Sequence, residues 1–223
     1  MTLAAPDIVI IDYGMGNLRN VQKAFEHIGV LAHVSSRTQD LAQADALVLP
    51  GVGAFGDAMA HLTQGGLIGP ICQSVSEGKP FLGICLGLQL LFDESEEMGT
   101  HRGLGILPGR VVRFVPGLKV PHIGWNQLQF AAHRARGDAD RRSPSPLLDG
   151  IPDGSYAYFV HSYHAVAEDP ACVLATTDYG IAFASVVQQG NVFGVQPHPE
   201  KSQKIGLRLL RNFAAVVAQG EPK

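Results

Sequence analysis

The stretch from Phe81 to residue 92 constrains the fold more than any other part of the chain. Phe81–Cys85 is a short, mostly apolar run typical of a buried strand, and residues 86–92 form a second apolar run, read as a helix to about residue 92. Cys85 sits at the join, flanked by Gly83 and Gly87 in the spacing of a nucleophile elbow. There a sharp turn lifts the central side chain above a sheet, and the helix start favours a thiolate. The pattern favours a nucleophile over the alternative, a buried core cysteine.

Strand and helix signals alternate through the first 95 residues. Strands are predicted at 8–11, 31–34, 46–49 and 81–85, and helices at 18–28, 57–62 and 68–77. This alternation predicts an α/β fold with a mostly parallel central sheet and helices on both faces. Glycine-containing loops follow the first and third strands, at residues 12–17 and 50–56, and should meet Cys85 at the carboxyl edge of the sheet, where ligands bind. Neither loop completes a nucleotide-binding motif.

The second half has a different pattern. Short strand-like runs at 110–115, 120–130, 156–160, 171–176, 182–187 and 191–195 are separated by turn signals, and an amphipathic helix closes the chain. They predict an antiparallel extension of the sheet within a single domain spanning residues 1–223. The charged stretch 131–145 is expected to be an exposed insertion.

Composition excludes several classes of protein. The formal net charge of −3 gives nucleic-acid binding no electrostatic support, and no apolar run approaches the length of a membrane span. Three cysteines and no secretory pattern at the N-terminus argue against a disulfide framework. We therefore expect a cytoplasmic enzyme that contacts neither nucleic acid nor membrane.

A cysteine nucleophile needs a base, and the sequence offers His198 with Glu200 two residues later. A strand at 192–195 delivers this pair, and an extended chain around Pro199 would place both side chains on one side. Cys85, His198 and Glu200 are thus the predicted catalytic triad. A surface histidine is the alternative for His198. A zinc site is the alternative for Cys85, His198 and Glu200 taken together, although no Cys-x-x-Cys or His-x-x-x-His spacing supports it.

The segments around Cys85 and His198-Pro-Glu200 resemble the class I glutamine amidotransferases, a family with a flavodoxin-like fold. The resemblance implies hydrolysis of L-glutamine to glutamate and ammonia through a thioester, with no cofactor and no metal. It implies that the N–H groups of Val52 and Leu86 bind the oxyanion. It also implies a glutamine-binding set of Gly53, Gln89, Glu97 and the segment Ser162-Tyr163-His164.

Further segments resemble one branch of this family, the glutaminase subunits that supply ammonia to a TIM-barrel cyclase in histidine biosynthesis. They are Asp12-Tyr-Gly-Met-Gly-Asn-Leu, Leu49-Pro-Gly-Val-Gly-Ala-Phe-Gly, Pro121-His-Ile-Gly-Trp-Asn, Tyr158-Phe-Val-His-Ser-Tyr and His198-Pro-Glu-Lys-Ser. The resemblance implies a heterodimer whose cyclase makes imidazole glycerol phosphate and AICAR from a ribulosyl formimino nucleotide (PRFAR). The residues implied to face the cyclase are Asn17, Asn20, Trp125, Tyr158 and Lys201, although Asn17 could equally be a helix cap and Trp125 a core residue.

Three other functions stay open at this point. The chain could be the glutaminase component of another amidotransferase, such as one making anthranilate or guanylate. It could be a γ-glutamyl thiol hydrolase that channels no ammonia. It could also be a scaffold that keeps the fold without the chemistry, which the complete Cys-His-Glu set disfavours.

Overall fold

The computed structural model describes residues 6–131 and 145–220. The first part alternates strands and helices as predicted. Its elements are β1 (Ile8–Ile11), α1 (Leu18–His27), β2 (Ala32–Ser35), α2 (Thr38–Gln43), β3 (Ala46–Gly51), α3 (Phe55–Gln64), α4 (Ile68–Ser76), β4 (Phe81–Cys85) and α5 (Leu86–Gln89). The short helix α2 was not predicted, because a single buried residue, Leu41, leaves almost no periodic signal.

The rest of the described chain is mostly strands. They are β5 (Phe92–Ser95), β6 (His101–Arg102), β7 (Leu107–Arg113), β8 (His122–Phe130), β9 (Ser155–His161), β10 (Tyr163–Ala167), β11 (Val173–Asp178), β12 (Ala182–Gln189) and β13 (Val192–Val195), followed by α6 (Gln203–Gln219). Three 3-10 turns lie between them, at Pro146–Leu148, Pro170–Cys172 and Pro199–Lys201.

The main sheet has nine strands in the order β2-β1-β3-β4-β13-β12-β11-β8-β9. The five strands from β2 to β13 are parallel, and each pair from β13 to β9 is antiparallel. This confirms the predicted α/β fold and its antiparallel extension. Because β13 pairs with β4, the chain leaving β13 emerges beside Cys85.

Two details of the prediction were wrong. The strand predicted at 110–115 overlaps β7, which ends at Arg113 and belongs to a separate four-stranded sheet of order β10-β7-β5-β6 instead of extending the main sheet. The helix predicted to reach about residue 92 ends at Gln89, and Phe92 begins β5. Residues 86–92 are all buried, and an apolar run buried on every side does not distinguish helix from strand.

Hydrophobic cores cover both faces of the main sheet, because side chains alternate along each strand. Ile8 and Ile10 belong to one core, together with residues of α1 and α6. Val9 and Ile11 belong to the other, together with residues of α2 to α5 and β7. Helices on both faces, as predicted, hold the carboxyl edge of the parallel strands in place.

The predicted exposed insertion at 131–145 falls almost entirely on residues 132–144, outside the described residues. At its end Ser145 is buried, and its Oγ accepts a hydrogen bond from Leu147 N at 3.1 Å. The single domain stays a prediction. None of the helices in the described part of the chain has the length and hydropathy needed to span a bilayer.

Candidate active site

Cys85 occupies a tight turn between β4 and α5. Its backbone has φ 55° and ψ −108°, a conformation that residues other than glycine rarely adopt. Such strain persists only where the surrounding structure enforces it, and it is concentrated at functional sites. The side chain is 5% exposed.

The two flanking glycines make this turn possible. A Cβ at Gly83 would lie 2.5 Å from the carbonyl oxygen of Gly87, and a Cβ at Gly87 would overlap the carbonyl oxygen of Leu49. Strand β4, helix α5 and strand β3 therefore approach one another backbone to backbone. This close approach holds Cys85 at the carboxyl edge of the sheet.

His198 and Glu200 follow β13 and lie beside Cys85. His198 Nδ1 and Glu200 Oε1 are 2.8 Å apart, with both side chains no more than 3% exposed. The backbone N–H of His198 donates to Tyr158 O at 2.9 Å, which anchors the turn to β9. His198 itself is extended, as predicted, with φ −93° and ψ 100°, but the extended chain does not continue to Glu200, because Pro199–Lys201 forms a 3-10 turn. The turn, closed by Ser202 Oγ donating to His198 O at 2.6 Å, brings the carboxylate back to the ring.

The charges around His198 favour its protonated form. Burial alone would lower the pKa of His198, but hydrogen bonding and charge interactions with Cys85 and Glu200 outweigh it and raise that pKa to about 10. Among the described residues, His198 Nε2 makes no hydrogen bond. With Nδ1 occupied by Glu200, Nε2 is the ring atom available for proton transfer, and catalytic hydrogen bonds often tighten only when substrate binds.

A cavity of about 300 Å³ opens beside Cys85. Its lining includes every residue predicted for the oxyanion and glutamine sites except His164, namely Val52, Gly53, Leu86, Gln89, Glu97, Ser162 and Tyr163, together with Pro121, Val160 and His161. His164 instead is buried with its Nδ1 3.3 Å from Ala165 O. It points inward because side chains alternate along β10, so the expectation that the whole segment 162–164 faces glutamine is not met.

Polar contacts fix two side chains of this cavity. Gln89 Nε2 donates to Tyr163 O at 2.9 Å, and Glu97 Oε2 accepts from Phe55 N at 2.7 Å, at the start of α3. The cavity thus offers a carboxylate, an amide and backbone groups close to a thiol. These groups suit a small zwitterion that also carries an amide.

Sequence reasoning missed two polar residues of the site, Gln196 and His161, as well as the apolar lining residues Pro121 and Val160. Gln196 Nε2 donates to Cys85 Sγ at 3.7 Å, and His161 lines the cavity. The available signal for Gln196 was its position two residues before His198, directly after a buried strand. His161 offered no signal, because its role depends on a cross-strand partner.

That partner is His122, which lies opposite His161 in the β8–β9 register. Asn126 Nδ2 contacts His122 Nε2 at 3.3 Å, His122 Nδ1 contacts His161 Nε2 at 3.3 Å, and His161 Nδ1 contacts Tyr163 O at 2.8 Å. The Asn126 amide nitrogen only donates and the Tyr163 carbonyl only accepts, so both histidines are neutral with the proton on Nδ1. Burial, reinforced by neighbouring histidines and opposed by the bond to Tyr163, lowers the pKa of His161 to about 3.

The residues predicted to face a partner lie outside the cavity. Asn17, Asn20 and Lys201 are exposed, and Trp125 is 45% exposed. Trp125 and Tyr158 stack edge to face with ring centroids 6.0 Å apart, and Lys201 Nζ lies 5.8 Å from the Tyr158 ring. We call Trp125, Tyr158 and Lys201 the Trp125 patch. Asn17 precedes α1, but its side chain makes no capping hydrogen bond.

A small void lies beside the His198–Glu200 pair. It has a volume of about 10 Å³, and its lining includes Asn17, Val52, His198 and Glu200. Within residues 6–131 and 145–220, no group of three or more His, Cys, Asp or Glu side chains could hold a metal ion.

Comparison with known proteins places this site in a family. The family model described as "Glutamine amidotransferase class-I" matches residues 9–217. A protein of Syntrophotalea carbinolica named imidazole glycerol phosphate synthase subunit HisH is 56% identical over 214 residues, which cover 92% of this chain and 98% of that protein. A protein of Aquifex aeolicus with the same name is 54% identical over 206 residues, covering 92% and 94% of the two chains.

Solved structures show the same fold at lower sequence identity. A crystal structure of a glutamine amidotransferase matches with a TM-score of 0.69 at 22% identity, covering 95% of this chain and 98% of that one. A structure of PurLQS from Thermotoga maritima matches with a TM-score of 0.70 at 20% identity, covering 96% and 99%.

Proposed function

Because this chain belongs to the class I glutamine amidotransferase family, we propose that it is the glutaminase subunit of imidazole glycerol phosphate synthase, in histidine biosynthesis. It hydrolyses L-glutamine to glutamate and ammonia. Relatives more than 50% identical over nine-tenths of the chain carry this subunit's name. The structural observation that supports the activity most directly is the buried His198–Glu200 pair beside the strained Cys85.

In the first half of the reaction, Cys85 Sγ, whose proton is already held by His198 Nε2, attacks the side-chain amide carbon of glutamine. Glu200 holds the Nδ1–H and stabilises the imidazolium. As the tetrahedral intermediate collapses, the carbon–nitrogen bond breaks, and His198 gives its proton to the departing nitrogen. Ammonia leaves and a γ-glutamyl thioester remains on Cys85.

In the second half, His198 takes a proton from water, which attacks the thioester carbon. Collapse of this intermediate breaks the carbon–sulfur bond and releases glutamate, which leaves the Cys85 sulfur as a thiolate beside the protonated His198, as at the start of the cycle. In both halves, negative charge develops on the former amide oxygen. The N–H groups of Val52 and Leu86 stabilise it, and loss of one such donor typically lowers kcat by about 100- to 1,000-fold.

Glutamine lies in the cavity of about 300 Å³ with its amide toward Cys85. Glu97 binds the α-amino group, since it is the carboxylate of the lining. Gly53, Gln89, Ser162 and Tyr163 supply the remaining polar contacts. No cofactor takes part.

The chain acts in the cytoplasm as a heterodimer with a TIM-barrel cyclase, away from nucleic acid and membranes. The cyclase uses the ammonia to make imidazole glycerol phosphate and AICAR from PRFAR. Its docking surface on this chain comprises the Trp125 patch with Asn17 and Asn20. These residues are exposed or half-buried, and Asn17 lines the void beside His198 and Glu200, so this surface adjoins the His198–Glu200 pair.

The test is release of glutamate and ammonia by the purified chain, alone and with the cyclase and its nucleotide substrate. We expect turnover that rises strongly in the complete mixture and disappears in Cys85→Ala. Full turnover without the cyclase would instead favour a γ-glutamyl thiol hydrolase. Stimulation only by a different acceptor enzyme would favour another amidotransferase.

A further inference from the structure

Gln196 is a fully buried polar residue that contacts the nucleophile. It follows β13 directly and lies two residues before His198. Its side chain bridges two groups of the site: Nε2 donates to Cys85 Sγ at 3.7 Å, and Oε1 accepts from Gln89 Nε2 at 3.1 Å. None of its surface is exposed.

The orientation of this amide follows from its neighbours. Gln89 Nε2 donates to the carbonyl oxygen of Tyr163 at 2.9 Å, and a carbonyl oxygen can only accept. The Gln89 atom that faces Gln196 is therefore a donor, so Gln196 must present its oxygen to Gln89. The Gln196 nitrogen is then left facing the sulfur. The reversed amide would lose both hydrogen bonds inside the core.

We propose that Gln196 is a positioning residue whose amide holds the Cys85 sulfur as a hydrogen-bond acceptor and couples it to Gln89; this inference rests on the proposed glutaminase function. An N–H donor facing sulfur favours the ionised thiolate, because hydrogen bonds to charged acceptors are about twice as strong as neutral ones. The same amide fixes Gln89, which lines the glutamine cavity.

A packing role alone does not account for this arrangement. Burying an amide costs free energy that its hydrogen bonds must offset, whereas an apolar side chain that only filled the space would carry no such cost. Here the donor faces the Cys85 sulfur, whose contact with Val160 O is long, at 4.0 Å. The polar side chain therefore serves the reactive group.

Two variants and one control test the proposal. Gln196→Glu keeps the size of the side chain but replaces the donor by a carboxylate oxygen. Gln196→Met keeps the length and removes all hydrogen bonding. Gln189→Glu is the matched control, because Gln189 is exposed at the end of β12.

The measurement is the rate at which iodoacetamide alkylates Cys85 without glutamine, followed by mass spectrometry of the Cys85 peptide. At about pH 7 we expect both Gln196 variants to react roughly 10- to 100-fold more slowly than the natural chain and the control. The difference should shrink at about pH 10, where thiols ionise without help. Unchanged rates at pH 7, or an equal loss at both pH values, would refute the positioning role.

A second measurement needs no Gln196 variant and so does not depend on its folding. The side-chain amide resonances of Gln196 in isotope-labelled protein should shift in Cys85→Ala, and unchanged resonances would contradict the contact. Failure here is separable from failure of the proposed function. If the Gln196 variants are alkylated slowly but the natural chain has no glutaminase activity, only the proposed function is rejected. If the Gln196 variants are alkylated at the normal rate and the natural chain is active, only the role of Gln196 is rejected.

Discussion

At the scale of single residues, Cys85 is held by contacts from several parts of the chain. Its positive φ is enforced by backbone packing at Gly83 and Gly87, and Gln196 and His198 reach it from the chain after β13. The glycine spacing and the His-Pro-Glu motif were visible in the sequence because each is local. Gln196 was not identified, because its role depends on Gln89 meeting it across the sheet.

The protonation of His198 depends on Glu200, and Glu200→Gln tests this dependence. Hydrogen bonding and charge interactions with Cys85 and Glu200 together raise the pKa of His198 to about 10, and the variant removes the charge of one of these two partners. We therefore expect the imidazole to lose its proton at lower pH in the variant. NMR titration of labelled histidine measures the pKa of His198 in both chains, and an ordinary His198 pKa in the natural chain would contradict our account.

The same shift predicts the pH dependence of stability. The pKa of His198 is higher in the folded chain than the value of about 6.5 in unfolded chains. The resulting stabilisation is complete below about pH 6.5 and is lost as the pH rises toward 10. Urea unfolding of Glu200→Gln should therefore show a larger deficit in unfolding free energy at about pH 6 than at about pH 10, and a deficit that grows between these pH values would be inconsistent with this assignment.

Gly87→Ala tests the turn around Cys85. Its new Cβ would overlap the Leu49 carbonyl oxygen, and overpacking of this kind typically lowers the unfolding free energy by about 1–3 kcal/mol. Because the turn would open, iodoacetamide alkylation of Cys85 should also change. The control is Gly69→Ala in α4, where a Cβ meets nothing within 4 Å; alanine there should stabilise the helix by up to about 1 kcal/mol. Equal effects of the two variants would contradict the close approach.

At the scale of secondary-structure elements, the sequence was informative where one face of an element is buried. Strands β1, β3, β4 and β13 were predicted close to their observed bounds, because short apolar runs between turn signals are typical of buried parallel strands. The end of α5 and the second, four-stranded sheet were not predicted, because residues 86–92 are buried on all sides. The second sheet also depends on pairing between segments far apart in the chain, which local patterns do not encode.

The pairing of β8 with β9 places His122 and His161 in a buried network that also packs near His164. Burial is the main cause that lowers the pKa of all three, that of His161 to about 3. A folded-state pKa below the unfolded value of about 6.5 gives stability that is present above pH 6.5 and lost as the pH falls toward 3. These histidines should make the fold acid-sensitive, opposite in sign to His198.

His161→Gln measures this contribution. Between about pH 7.5 and pH 5, the unfolding free energy of the natural chain should fall more steeply with decreasing pH than that of the His161→Gln variant. His27→Gln, which changes an exposed histidine at the end of α1, is the control and should keep the natural slope. Parallel slopes for all three chains would show that His161 is not held neutral by the fold.

At the scale of the whole molecule, the two hydrophobic cores pack on opposite faces of the sheet and leave its carboxyl edge accessible as one continuous surface. The cavity and the His198–Glu200 pair lie at this edge, and the Trp125 patch, formed by β8, β9 and the turn after His198, lies next to them. This combination follows from the strand order, in which β13 joins the parallel half of the sheet to the antiparallel half.

Docking of the cyclase on this surface predicts a specific defect in Trp125→Ala. Removal of a large half-exposed ring from an interface typically costs about 2 kcal/mol or more when the ring is a binding hot spot. We expect cyclase affinity, measured by calorimetry, to fall at least about 10-fold while the fold is retained. Leu31→Ala is the control, since Leu31 is 75% exposed and precedes β2 at the opposite edge of the sheet. Equal affinities of both variants would place the interface elsewhere.

The most direct test of the account is covalent labelling by a diazoketone analogue of glutamine in the presence of the cyclase and its nucleotide substrate, with peptide mapping of the product. We predict a single label on Cys85, blocked by glutamine, slowed in Glu200→Gln and absent in Cys85→Ala. Labelling that persists in Cys85→Ala, or that falls on Cys72 or Cys172, would contradict the assignment of the nucleophile and with it the catalytic site described above.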